Sequence, residues 1–282
     1  MPLSCFKSIH RCRDGKMEKI RVERVTKTFE TREPGRGGGT RTLTALKDLD
    51  FTVRSGEFLT LVGPSGCGKS TLLDLLLGLG KPTKGRILID GREIDGPGLD
   101  RGIVFQQYAL FPWKTVRGNV EFGLEAQGIP KKERRELADH YIGLVGLQDF
   151  ANHYPHELSG GMKQRVAIAR SLACNPDVLL MDEPFAALDA QTREVLQAEL
   201  LRIWEKTGKT IVFITHSIDE AVYLGQRVVV LTSRPGTVKQ IVEVSLGNRL
   251  SEPNLNAHPE FIRARTEVWN LLHEPEYRGA CI

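Results

Sequence analysis

Residues 19–29, "KIRVERVTKTF", alternate apolar and polar side chains with the period of two that marks a half-buried strand. Residues 30–41, "ETREPGRGGGTR", replace that pattern with Gly, Arg and Pro and read as a mobile loop. Residues 45–53 ("ALKDLDFTV") are strand-like again, and Ser55-Gly56 turns the chain. Residues 57–62, "EFLTLV", form a continuous apolar run, as expected of a strand buried on both faces. The spacing then becomes helical through "STLLDLLLGLG", which stops at Gly80 with Pro82 beyond. "GRILIDGREI" is a short hairpin-like pair.

From about residue 111 to 158 the pattern is helical, with charged stretches such as "KKERRELADHYIGLVGL". A strand at 177–181 ("DVLLM") precedes a helix through "REVLQAELLRIWEKTG". A strand at 210–215 ("TIVFIT") precedes a helix that Ser217 can cap, with Glu220 three residues on. Strands alternating with helices predict a parallel α/β core. Near the end "PEFIRARTEVWNLLHE" is amphipathic, with Phe261, Val268 and Leu272 on one face, and is expected to pack on its own domain.

Composition narrows this picture only slightly. The 282 residues suffice for a sizeable core. A net charge of +4 permits contact with an acidic surface but does not point to nucleic acid. The most apolar run, "TLLDLLLGLG", is broken by Asp74 and falls short of the roughly 20 apolar residues of a membrane span. Residues 1–16 are basic, lack the apolar centre of a secretory signal, and are expected to form a disordered leader. Met17 serves as well as Met1 as a start. Five scattered cysteines point to a reducing compartment rather than a disulfide framework. Cys5 and Cys12 flank His10, but the spacing fits no common zinc pattern.

The chemistry concentrates at "GPSGCGKST". Gly63, Pro64, Ser65, Gly66, Cys67, Gly68, Lys69 and Ser70, followed by Thr71, fit G-x-x-x-x-G-K-[ST] between a strand and a helix. Glycines let backbone N–H groups converge on phosphates. The helix N-terminus adds only about 1–2 kcal/mol, whereas even a millimolar nucleotide needs about 4 kcal/mol. Lys69 must therefore add charge directly at the β- and γ-phosphates, and Ser70 should ligate Mg²⁺. "VLLMDEP" puts Asp182 and Glu183 where a buried strand opens at its carboxyl end. There Asp182 would hold Mg²⁺ and Glu183 could act as general base toward water. His216 ends another apolar strand and could bond the γ-phosphate, although a single histidine there is more often structural. A second glycine element, "LSGGMKQR", lies far along the chain at 158–165. Ser159 could cap the helix that follows, and an exposed helix N-terminus is also an anion site.

These motifs, in this order, resemble the ATP-binding subunit of an ABC transporter from about residue 20 to at least 243. "GPSGCGKST" resembles Walker A, and "VFQQ" the Q-loop, with Gln106 as its glutamine. "LSGGM" resembles the signature, with Met162 where glutamine is commonest. "VLLMDEP" resembles Walker B, "AALD" the D-loop and "THS" the switch-histidine segment. The resemblance implies a P-loop NTPase core with a parallel sheet, an antiparallel β subdomain and a helical subdomain at about 111–158. The cassette would span 17–245 and be followed by a C-terminal extension, 246–282. It further implies ATP and Mg²⁺ as cofactors, Gln106 beside the metal and the reacting water, and Phe29 stacked on adenine; the other reading of Phe29 is a core strand residue. Two cassettes would form a head-to-tail homodimer, with Ser159, Gly160 and Gly161 of one gripping the ATP held by the glycine loop of the other.

"FPWKTVRGNV", "LSGGMKQR" and "SRPGTV" look like cassettes of importers for nitrate, sulfonates, taurine, bicarbonate or pyrimidine precursors. Such cassettes pair with a separate membrane permease at the cytoplasmic face of the inner membrane, and indirectly with an extracytoplasmic solute-binding protein. A DNA-repair ATPase is the alternative, but that class inserts long coiled coils between the Walker motifs. A translation-associated ABC protein would need two cassettes, and a P-loop kinase or GTPase leaves "LSGGM" unexplained.

Overall fold

In the computed structural model, which describes residues 17–32, 40–252 and 254–274, β1 (Glu18–Arg32) and β2 (Thr40–Arg54) pair antiparallel along nearly their whole length. The chain continues through β3 (Phe58–Val62), α1 (Lys69–Leu77), β4 (Lys84–Ile89), β5 (Arg92–Glu93) and β6 (Arg101–Val104). Next come α2 (Val116–Ala126), α3 (Lys131–Leu144), two short 3-10 turns and α4 (Gly160–Ala173). The last part comprises β7 (Val178–Asp182), α5 (Ala190–Thr207), β8 (Thr210–Ile214), α6 (Ile218–Leu224), β9 (Arg227–Leu231), β10 (Val238–Glu243) and α7 (Pro259–His273).

Among the described residues two sheets form, with strand orders β2-β1-β4-β5 and β10-β9-β3-β8-β7-β6. In the second, β9, β3, β8, β7 and β6 are parallel and only β10 is antiparallel. Every residue of β3, β8 and β9 is buried, which accounts for their largely apolar composition. Successive side chains of β3 serve different faces. Phe58 packs toward the helical part, with Phe213 and Phe185. Leu59 and Leu61 face the antiparallel sheet and Leu72 and Leu76 of α1. Thr60 turns to α6, its hydroxyl donating to the Ala221 carbonyl at 3.0 Å.

The helical part, α2 to α4, is fastened by a buried asparagine. Asn119 donates to the carbonyls of Phe111, Lys114 and Thr115 and accepts from the Phe111 N–H. This holds the loop that presents Trp113, which is 71% exposed. The helix at the end of the chain packs on its own domain: Phe261, Ala264 and Val268 of α7 are buried against β9, β10 and α6, with Leu272 half-buried beside them.

Some expectations change. The helix expected to stop at Gly80 ends at Leu77, where Gly78 in a left-handed conformation caps it. The segment read as a loop from residue 30 is partly strand, because β1 runs to Arg32 and β2 starts at Thr40, with Glu30 opposite Thr42 and Arg32 opposite Thr40. The backbone ladder carries the pairing outward past the end of the apolar alternation. Residues 33–39 and the expected leader, 1–16, lie outside the described residues. Three strands, β6, β9 and β10, also appear where the pattern assigns none. Among the described residues no helix is long and apolar enough to cross a membrane.

Candidate functional site

Sheet register assembles the site. Val104 of β6 lies opposite Met181 of β7, Asp182 opposite Ile214 of β8, and Ile214 opposite Leu61 of β3. The next residues along each strand leave the sheet together at its carboxyl edge. They are Gln106 after β6, Asp182 and Glu183 at the end of β7, His216 after β8, and the glycine loop after β3. Parallel strands put all these ends on one side, so residues far apart in sequence converge.

The loop itself needs glycine where its backbone turns left-handed. Gly66 has φ +74° and Gly68 φ +99°, and a Cβ on Gly68 would come within 2.5 Å of Leu46 Cδ2. Gly68 is the N-cap of α1 and has no side chain to satisfy the helix N–H groups. Ser65, Gly66 and Ser70 are exposed, and Thr71 is half-buried. Cys67 by contrast is 1% exposed, and burial pushes its thiol up. Lys69 folds back over the loop, its Nζ donating to the carbonyls of Gly63 at 2.8 Å and Pro64 at 3.2 Å. A buried ammonium resting on neutral carbonyls is suited to receive an anion.

Opposite it, burial pushes the Asp182 carboxyl above its usual range; Glu183 adds to this, Lys69 opposes it, and Asp74 adds a little more. A carboxylate held in that setting is suited to a cation. Glu183 has the unusual φ of 43° for a residue with a side chain, fixed by its N–H bond to the Ile214 carbonyl at 2.9 Å. The turn brings its Oε2 to 3.0 Å from His216 Nδ1. His216 is exposed and Glu183 only slightly so. The residues therefore offer an anion cradle, a cation ligand and a carboxylate–imidazole pair on one edge, a set that fits Mg²⁺ and a polyphosphate.

Gln106 is exposed at the edge. Beyond it the loop takes positive φ at Tyr108 and Ala109, and Arg170 of α4 donates to the carbonyls of both. Ser159 is the N-cap of α4 and accepts from Met162 N at 3.3 Å, as its capping role requires. Its position is exposed, and Gly160 and Gly161 are close-packed: added Cβ atoms would meet Tyr108 and Leu188, and Thr192, respectively. So the second glycine element abuts the loop after Gln106 and the start of α5. Leu158, just before it, is in the core at 5% exposure. Phe29 on β1 is 42% exposed, with Lys27 Nζ 5.3 Å from its ring centre, so it is not a core residue. No local sequence pattern singles out Arg170.

Known proteins share this arrangement. A family model described as ABC transporter matches residues 46–186, a span holding the glycine loop, Gln106, the second glycine element, Asp182 and Glu183. An ABC transporter ATP-binding protein of Methanocaldococcus jannaschii is 54% identical, covering 93% of this chain and 94% of its own. The nitrate import ATP-binding protein NrtD of Synechocystis is 52% identical (82% and 89% covered), and a taurine import ATP-binding protein TauB of Roseobacter denitrificans is 47% identical (82% and 88%). The dimeric post-hydrolysis structure of the ATP-binding cassette MJ0796, bound to ADP and Pi, is similar with a TM-score of 0.67 at 36% identity, covering 81% of this chain and 100% of that one. With the motifs placed at one sheet edge and relatives matching over most of their length, this chain belongs to the ABC transporter family and is an ATPase of its ATP-binding cassette class.

Proposed function

We propose that the chain is the ATP-hydrolysing subunit of an importer for a small solute resembling nitrate, a sulfonate, taurine or bicarbonate, acting through a separate membrane permease. The convergence of the glycine loop, Asp182 and the Glu183–His216 pair on one edge carries the ATPase half of this reading. The import half is supported by the likeness to proteins named for nitrate and taurine import. In this reading the glycine loop from Gly63 to Thr71 cradles the phosphates, Lys69 moves from its resting carbonyls to the β/γ oxygens, and Phe29 stacks on adenine. Ser70, Asp182 and Gln106 would hold Mg²⁺, which supplies charge neutralisation on the phosphates. Glu183 takes the proton of the attacking water, and His216 holds that carboxylate while reaching the γ-phosphate. Ser159, Gly160 and Gly161 of a second copy complete the site in a homodimer. The protein then sits peripherally at the cytoplasmic face of the inner membrane, with a solute-binding protein acting on the far side.

A DNA-repair role fits less well. Between Lys69 and Asp182 the longest helices have fourteen residues, too short for the inserted coiled coil of that class.

The permease would dock at the aromatic surface beside Gln106. Phe105, Phe122 and Trp113 are exposed there, and the Phe111 ring lies 5.6 Å from Trp113 and 4.4 Å from Phe122. The test is reconstitution with a candidate membrane permease and solute-binding protein, measuring ATP-driven uptake of nitrate, taurine and bicarbonate. Stimulated uptake of none of them removes the substrate assignment. In the same assay Trp113→Ala should lower uptake about tenfold, the effect of losing an interface anchor. The ATPase rate of the isolated subunit should stay within about twofold, since Trp113 is on the surface. Equal loss of both would mean misfolding rather than lost coupling.

A further inference from the structure

The motif "SRPGTV" has no part in the site as described, yet its turn rests on the glycine loop. Residues 232–237 join β9 to β10 and are stitched internally: Thr232 N donates to the Thr237 carbonyl at 3.0 Å, and Thr237 N to Thr232 Oγ1 at 2.9 Å. The turn is also tied to β2, with Gly236 N donating to the Ala45 carbonyl and Lys47 N to the Gly236 carbonyl, both at 2.9 Å. Gly236 lies so close that a Cβ there would come within 2.0 Å of the Cys67 carbonyl oxygen. From this base Arg234 extends along the outside of the loop. Its Nε donates to the Gly66 carbonyl at 2.8 Å, and its NH2 would stand 2.9 Å from a Cβ on Gly66.

Resting on the reading of this loop as the nucleotide site, we propose that Arg234 is a positioning residue for the nucleotide. It clamps the Gly66–Cys67 peptide from outside and thereby sets how well the loop receives phosphate. A planar peptide places its carbonyl and its N–H on opposite sides. With the Gly66 carbonyl held outward by Arg234, the Cys67 N–H faces into the loop, where it reaches the Pro64 carbonyl at 3.2 Å. Donation from a guanidinium is charge-assisted and polarises the peptide, which makes that N–H a better donor. Gly66 has a left-handed backbone and no side chain to hold it, so the Arg234 clamp adds to the Cys67 N–H bond in fixing this peptide. The cationic fork also adds positive potential beside an anion site. Local sequence does not reveal this contact, because Arg234 and Gly66 are 168 residues apart.

The experiment is a fluorescence titration of the full-length chain with methylanthraniloyl-ATP and Mg²⁺, alongside steady-state ATP hydrolysis. Arg234→Met keeps the aliphatic stem and loses the donors, and Arg234→Lys keeps the charge and one donor site. Arg234→Met should weaken binding about fivefold, roughly one charge-assisted bond at an exposed site. Arg234→Lys should recover to within about twofold of the parent. In hydrolysis KM for ATP should rise by more than kcat falls, a split that a general loss of folded protein does not produce. Lys69→Ala is the reference. If it leaves binding unchanged, the nucleotide-site reading fails. If Lys69→Ala weakens binding and Arg234→Met binds as tightly as the parent, the inference alone is overturned. Equal losses in the Met and Lys variants would likewise overturn it, since charge and donor would then play no part.

Discussion

Glu183→Gln is expected to bind ATP normally and to lose turnover by about a hundredfold or more, within the range for removing a general base. Glutamine keeps the volume and the planar end of the side chain but cannot accept a proton from water. The backbone that presents it is fixed independently, by the Glu183 N–H bond to the Ile214 carbonyl and the unusual φ of 43°. Neither feature depends on the end of the side chain, so both survive the exchange of carboxylate for amide. The substitution should therefore leave the loop, Lys69 and Asp182 in place. ATP that binds without being cleaved continues to stabilise the closed form, so size-exclusion chromatography with ATP and Mg²⁺ should show a persistent dimer. Lys69→Ala should differ in kind, failing to retain nucleotide and remaining monomeric. Phosphate release at the parent rate in Glu183→Gln would end the general-base assignment.

The second large effect concerns the composite site. If the second glycine element serves the partner's nucleotide, the Ser65→Cys, Ser159→Cys double variant should form a covalent dimer under mild oxidation, and neither single variant should. Both positions are exposed, one on the glycine loop and one at the N-cap of α4. A disulfide requires Cα atoms within roughly 7 Å, or motion that brings them there. The neighbouring positions are poor choices: Leu158 is held in the core, and the native Cys67 is 1% exposed with a thiol that burial keeps protonated. A non-reducing gel reads the outcome. A band at dimer size supports two chains around one nucleotide. A monomer of altered mobility, formed only when both cysteines are present, would mean one chain grips the nucleotide with both elements, and the composite site would be abandoned.

The largest parts of the site are legible in the chain because they are local. A glycine loop between an apolar strand and a helix, an acidic pair ending a second strand, and a histidine ending a third each need only a few consecutive residues. Their physics, left-handed turns, helix N-termini and buried parallel strands, is written in those residues. Hydrophobic period likewise reveals most of the sheet and the amphipathic α7. It does not reveal β6, β9 and β10, which only their neighbours in the sheet define as strands. Nor does it show that β1 continues to Arg32, because a backbone ladder forms regardless of side-chain pattern.

What the tertiary structure alone decides is which distant residues meet. Sequence identifies Glu183 and His216 as candidates, but their separation of 3.0 Å depends on the register between β7 and β8. Exposure is settled in the same way: the strand pattern leaves Phe29 open to a core reading, and packing places it at the surface while taking Leu158 and Cys67 inside. Arg234 on the glycine loop and Arg170 on the loop after Gln106 are contacts across 168 and about 60 residues of chain, with no periodicity to announce them. Local chemistry belongs to the sequence because it needs only neighbouring residues; the positioning of that chemistry belongs to the fold, because it requires the whole sheet to close before those side chains can touch.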